Sequence, residues 1–157
     1  MTPPDPDILL VDDNGAEVAI ALRAFQQVTA AERIRVVRDG QEALDLLHLG
    51  NGADDATDVA EAPRPCVIFL DLKMPRVDGW EVLREIRSAE HTREIPVVVL
   101  SASDRDEDVQ RCYQLGANSF LVKRFDGIRP GAYLADAARY WLELNQGFGP
   151  RRTVWVR

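Results

Sequence analysis

ILLVDDN, residues 8–14, ends an apolar run on two adjacent acids. Four apolar residues in succession, without alternation, predict a strand covered on both faces, as in a parallel sheet. Asp12 and Asp13 then fall at its carboxyl end, the edge where open α/β folds bind ligands. Two like charges placed side by side repel, so their position there needs an electrostatic reason.

The same pattern, a buried run ended by a reactive side chain, returns three times. CVIFL (66–70) runs into Asp71, IPVVVLSAS (95–103) carries Ser101 at its end, and SFLV (119–122) runs into Lys123. RIRVV (33–37) is a fifth, half-apolar strand. Between these runs the apolar spacing turns helical: residues 15 to about 28 behind a cap at Asn14, 40–49, 79–88, 104–115 and 132–144. In the last of these, Leu134, Ala137, Trp141 and Leu144 form one stripe suited to a core, and Tyr133 and Tyr140 widen it. Residues 50–65 lack periodicity, are rich in Gly, Asp, Ala and Pro, and predict a long surface loop. Five strands alternating with five helices predict a doubly wound α/β parallel sheet with right-handed crossovers.

Length and composition agree. A chain of 157 residues, 46% hydrophobic and 29% charged, suits one globular domain, here expected over residues 7–144 with tails at 1–6 and 145–157. A net charge of −7 argues against a nucleic-acid partner, which needs clustered Lys and Arg. No apolar run is long enough to span a bilayer, and MTPPDPD has neither the basic nor the apolar region of a signal peptide. Cys66 and Cys112 have no metal-ligand spacing and suit free thiols in a reducing cytoplasm.

Three carboxylates brought to one edge would raise one another's pKa unless a cation joined them. Mg²⁺ takes oxygen ligands and commonly links a few carboxylates to a phosphoryl group. Lys123 and Ser101 at the same edge suit such a group as charge partner and hydrogen-bond donor, and a carboxylate can itself be the nucleophile that forms an aspartyl phosphate. Asp71 is the candidate.

VDDN, VIFLDLKMPRVDGWEVLREIR, IPVVVLSAS and GANSFLVK, in this order and spacing, resemble the receiver domain of two-component response regulators, a flavodoxin-like fold. The resemblance implies that Asp12 and Asp13 bind Mg²⁺ with Asp71 and the backbone carbonyl of Lys73, and that Asp71 takes a phosphoryl group from a histidine kinase. It implies that Ser101 and Lys123 contact that group, and that Ser101 and Phe120 form the switch. The resemblance implies that side chains at positions 73 and 103 face the site, and Lys73 is expected either to hold phosphate or only to reach solvent. Activity of the chain's own would be limited to self-phosphorylation and self-dephosphorylation. One departure is Arg124, where the family usually has proline.

With only 13 residues after Leu144, a stand-alone receiver is expected. The start VDDNGAEVAIALRAF, the long Pro-ended loop before the third strand, Arg124 and YWLEL resemble the small regulators partnered with bacterial phytochromes, which implies a bacteriophytochrome kinase as phosphodonor. A non-phytochrome kinase or a phosphorelay is the alternative. The family often pairs through its last strand and helix, and Val154, Trp155 and Val156 of the tail RRTVWVR are apolar enough to join such a homodimer. A haloacid dehalogenase-type phosphatase would need a second acid where Lys73 stands. A nucleotide-binding module would need a glycine fingerprint that GNGADD does not complete.

Overall fold

The computed structural model describes residues 5–50, 56–125 and 127–147. Five strands, β1 (Ile8–Val11), β2 (Ile34–Val37), β3 (Val67–Asp71), β4 (Val97–Ser101) and β5 (Ser119–Val122), form one parallel sheet in the order β2-β1-β3-β4-β5. The chain winds outward from β1 to β2 and then from β3 to β5. The switch in direction therefore falls between β1 and β3, which places a ligand crevice at their carboxyl ends.

The described residues form six α-helices: α1 (Gly15–Phe25), α2 (Gly40–Leu46), α3 (Ala56–Glu61), α4 (Gly79–Ser88), α5 (Asp106–Gln114) and α6 (Ala132–Arg139). Alternate residues of the central strands divide between two cores. Leu9, Val11, Ile68, Leu70, Val97 and Val99 pack with Leu44 of α2, Leu83 and Ile86 of α4 and Cys112 of α5. Ile8, Leu10, Phe69, Val98 and Leu100 pack with Ala21 and Phe25 of α1 and Leu134 and Ala138 of α6. Burial on both faces is why β1, β3 and β4 read as unbroken apolar runs.

The expected five helices become six because α3 lies inside the span 50–65 expected to be loop. At six residues it is too short to show a helical period of its own. Residues 51–55 of that span lie outside the described residues.

The last helix also departs from expectation. Regular α-helix ends at Arg139, and Tyr140–Leu144 form a π turn, closed by the bond from Asn145 N–H to the Tyr140 carbonyl at 2.7 Å. Leu134 of the expected stripe is buried and Ala137 and Trp141 pack against the same core, joined by buried Ala135 and Ala138, whereas Leu144, at the end of the wider turn, is 73% exposed. Small Ala135 and Ala138 suit a close approach to α1, and the expected stripe does not include them. Tyr133, expected to widen the stripe, is half-buried, and its hydroxyl meets the loop after β5.

Candidate functional site

β1 and β3 run side by side with Leu10 opposite Phe69 and Val11 opposite Leu70, so Asp12 and Asp71 leave the sheet on neighbouring strands in step. One carboxylate oxygen each from Asp12, Asp13 and Asp71 lies within 4.8 Å of the others. Asp12 and Asp71 are buried and Asp13 is exposed. An octahedral Mg²⁺ with ligands at about 2.1 Å spans roughly 4 Å between opposite oxygens, so this oxygen-only donor set fits a hard divalent cation.

Local structure holds each acid in place. The Asn14 side chain accepts from the N–H groups of Ala16 and Glu17 and starts α1 directly after the pair, and Asn14 N–H donates to Asp12 Oδ1 at 2.9 Å. Arg38 donates to the Asp13 carbonyl at 3.0 Å. Beyond β3, Asp78 caps α4 through Glu81 N–H. Gly79 lies against the strand end so closely that a Cβ there would come within 2.2 Å of the Asp71 carbonyl. Only glycine permits this approach, which seats the start of α4 against the end of β3.

Lys123 crosses from the end of β5 into the cluster. Its backbone N–H donates to the Ser101 carbonyl at 2.8 Å, and its side chain is 6% exposed. The ammonium stands 3.1 Å from Asp71 Oδ1, 3.5 Å from Asp12 Oδ2 and 2.5 Å from Glu17 Oε2. Burial lowers its pKa, but the hydrogen bond to Glu17 and the charges of Asp71 and Asp12 outweigh that and hold it above the usual lysine range. It stays an ammonium at any physiological pH.

The acids are held in the opposite sense. Burial pushes Asp12 up to about 6, against the Asn14 N–H and Lys123, which lower it, with Asp71 and Glu17 adding to the rise. Burial likewise raises Asp71, opposed by Lys123 and by the backbone N–H of Lys73. Three carboxylates, Asp12, Glu17 and Asp71, thus share one ammonium, with the Asp13 carboxylate beside them. A divalent cation would relieve the excess negative charge.

The sequence-derived residues Asp12, Asp13, Asp71 and Lys123 meet in one cluster, and Ser101 ends the neighbouring strand, one position past the Leu100 paired with Asp71. Ser101 is buried, and its Oγ accepts from Ser103 N–H at 3.1 Å. Phe120 lies half-buried against the core shared with α4 and α5. One expectation changes. The Ser103 hydroxyl, expected to face the site, donates instead to Asp108 at 2.7 Å and accepts from Arg105 N–H at the start of α5. The Lys73 side chain is exposed, while its backbone N–H serves Asp71.

Two residues escape sequence reasoning. Glu17 has the signal of an acid in the first turn of a helix, which is ordinarily a favourable interaction with the helix dipole and hides its reach to Lys123. Tyr133 has none, since its hydroxyl accepts from Arg124 N–H at 3.2 Å across the loop. A proline at 124 would remove that donor.

A doubly wound parallel sheet thus gathers three carboxylates and a buried lysine at its switch point, the site of an α/β ligand-binding module. The chain belongs to the response regulator receiver domain family, whose model matches residues 8–129. It is 39% identical over 91% of its length to the probable methanogenesis regulatory protein FilR2 of Methanothrix harundinacea, covering 88% of that protein. It is 35% identical over 76% of its length to the response regulator Rcp1 of Synechocystis, covering 78% of it. The Mn²⁺-bound structure of Rcp1 superposes with a TM-score of 0.77 at 31% identity, covering 93% of this chain and 100% of that one. The phosphorylated cyanobacterial phytochrome response regulator RcpA superposes with a TM-score of 0.79 at 32% identity, covering 93% and 99%. Small phytochrome-associated response regulators are thus among its structural neighbours. Among the described residues, no helix is long and apolar enough to cross a membrane.

Proposed function

We propose that this chain is a response regulator that accepts a phosphoryl group on Asp71 from a histidine kinase in a Mg²⁺-dependent reaction and passes the signal on through Ser101 and Phe120. The observation that carries the reading is the pairing of Asp71 with Lys123 beside Asp12 and Asp13 at the switch point of the sheet.

The carboxylates of Asp12, Asp13 and Asp71 and the backbone carbonyl of Lys73 would hold the ion. Bound there, Mg²⁺ supplies positive charge for the phosphoryl oxygens and offsets the crowded acids. An Asp71 carboxylate oxygen attacks phosphorus as the bond from phosphorus to the protonated kinase imidazole breaks, and the imidazole leaves neutral with the bonding pair. Lys123, already 3.1 Å from that carboxylate, neutralises charge on the transferred group. Ser101 Oγ turns from Ser103 N–H to donate to a phosphoryl oxygen, and Phe120 follows it inward. Water later attacks phosphorus and restores the carboxylate. Beyond this self-phosphorylation from small acyl phosphates and self-dephosphorylation, no enzymatic activity is proposed.

The phosphodonor is a bacteriophytochrome kinase, supported by the likeness to Rcp1 and RcpA. A second reading, a kinase without phytochrome or a phosphorelay, has its own support in the 39% identity to FilR2, whose name concerns methanogenesis. Receiver function is proposed for residues 7–144, working in the cytoplasm, where Cys66 and Cys112 remain free thiols.

Intact-mass measurement after incubation with acetyl phosphate and Mg²⁺ tests the proposal. One added phosphoryl group on the native protein and none on Asp71→Asn supports it, and undiminished labelling of the variant refutes it. Transfer from a purified phytochrome kinase, compared with a kinase of other input, separates the two donors.

A further inference from the structure

The Lys123 ammonium is nearer to Glu17 than to either aspartate of the cluster, at 2.5 Å against 3.1 and 3.5 Å. Glu17 stands on the first turn of α1, 106 positions away in the chain, and it lies outside the trio Asp12, Asp13 and Asp71 whose oxygens converge for a cation. Its side chain is 23% exposed, whereas that of Lys123 is 6% exposed. One end of the pair therefore opens to water while the other is buried.

We propose that Glu17 is a positioning residue that holds Lys123 while Asp71 is unphosphorylated and gives it up to the phosphoryl group, so that phosphorylation exchanges the lysine's carboxylate partner. This rests on the receiver reading above and extends it to a residue outside the acidic pair, the phosphoacceptor and the lysine.

The electrostatics favour an exchange. A carboxylate on Asp71 carries about one negative charge, whereas an aspartyl phosphate carries nearly two and offers three more acceptor oxygens. The ammonium, with three donors and no acceptor, gains a stronger partner when the phosphoryl arrives. Glu17, partly open to water, can be released to solvent at lower cost than the buried Asp12 or Asp71. Until it is released, Glu17 competes with the phosphoryl group for Lys123 and adds a negative charge that opposes an incoming anion. Glu17 thereby sets how readily this receiver is occupied.

Beryllium trifluoride, which adds to a carboxylate as a non-hydrolysable phosphoryl mimic, tests the exchange without turnover. Its affinity and that of Mg²⁺ alone are measured by calorimetry on the full chain, on Glu17→Gln and on Glu17→Asp. Glu17→Gln removes the charge and weakens the contact. Glu17→Asp keeps the charge on an arm one methylene shorter, so any gain it shows comes from freeing the lysine. Tightening of beryllofluoride by about tenfold in Glu17→Gln, equal to about 1.4 kcal/mol, with a smaller gain in Glu17→Asp and Mg²⁺ affinity within about threefold of native, supports the proposal. Unchanged or weaker beryllofluoride binding in both variants overturns it. So does a loss of Mg²⁺ affinity beyond tenfold, which would make Glu17 a metal ligand. If the native chain itself fails to bind beryllofluoride with Mg²⁺, the receiver reading fails first.

Discussion

The Lys123 ammonium at the end of β5 lies 3.1 Å from the Asp71 carboxylate at the end of β3, across the intervening strand β4. Both side chains are nearly excluded from water, and Asp12 and Glu17 share the same ammonium. Breaking a buried pair by removing one member costs about 3–5 kcal/mol, because the charge left behind has no partner.

Lys123→Met is therefore expected to lower the unfolding free energy by about 3 kcal/mol in EDTA at pH 7.5, measured by urea denaturation. Saturating Mg²⁺ should recover much of that loss, since a cation again faces the acids. A variant as stable as the native chain in EDTA would mean that the lysine does not neutralise the cluster.

The pH dependence follows from Asp12. Its folded-state value of about 6 stands above the ordinary 3.8, so the folded chain binds this proton more tightly than the unfolded chain. The associated stability is present in acid and is lost as pH rises through that window. Burial raises Asp71 in the same direction. The thermal midpoint in EDTA should fall from pH 5.5 to 7.5, and Mg²⁺ should raise it most at pH 7.5. Equal midpoints with and without Mg²⁺ at pH 7.5 would count against a cation site.

Arg124 makes a bond that the usual proline could not, its N–H donating to the Tyr133 hydroxyl at 3.2 Å. Tyr133→Phe and Arg124→Pro should each cost about 1 kcal/mol. Because both remove the same bond, the double variant should cost less than the sum. Full additivity in urea denaturation would show that the bond contributes nothing.

A homodimer through the last strand and helix is also expected. Tyr140 and Leu144 are exposed on the π turn, and aromatic residues are favoured at interfaces. The segment RRTVWVR, expected to contribute, lies outside the described residues. Sedimentation of the full chain and of a chain ending at Asn145 should show a dimer that weakens on truncation. Monomers in both, with and without beryllofluoride, would refute it.

The strands and the acids at their ends were legible because a parallel sheet buried on both faces leaves continuous apolar runs, and each run stops where the chain meets polar side chains. Asn14 likewise shows a local signal of helix entry. What was not legible depends on three-dimensional reach. Glu17 reads as an ordinary first-turn acid, Ser103 gives no sign that Asp108 will take its hydroxyl, and the Tyr133 contact spans a loop. The stripe on α6 holds at Leu134, Ala137 and Trp141 and fails only at Leu144, because an even 3.6-residue period cannot foresee a π turn at Tyr140–Leu144. The helix α3 was hidden by its brevity.

The central claim is that Asp71 is the phosphoacceptor, and chemical mapping of the label tests it most directly. After phosphorylation by acetyl phosphate in Mg²⁺, borohydride reduction converts an aspartyl phosphate to homoserine, which peptide mass spectrometry locates. Homoserine at position 71 alone, absent when Mg²⁺ is withheld, is the predicted result. Homoserine at position 12 or 13, or no conversion in a chain that binds Mg²⁺, would contradict the account.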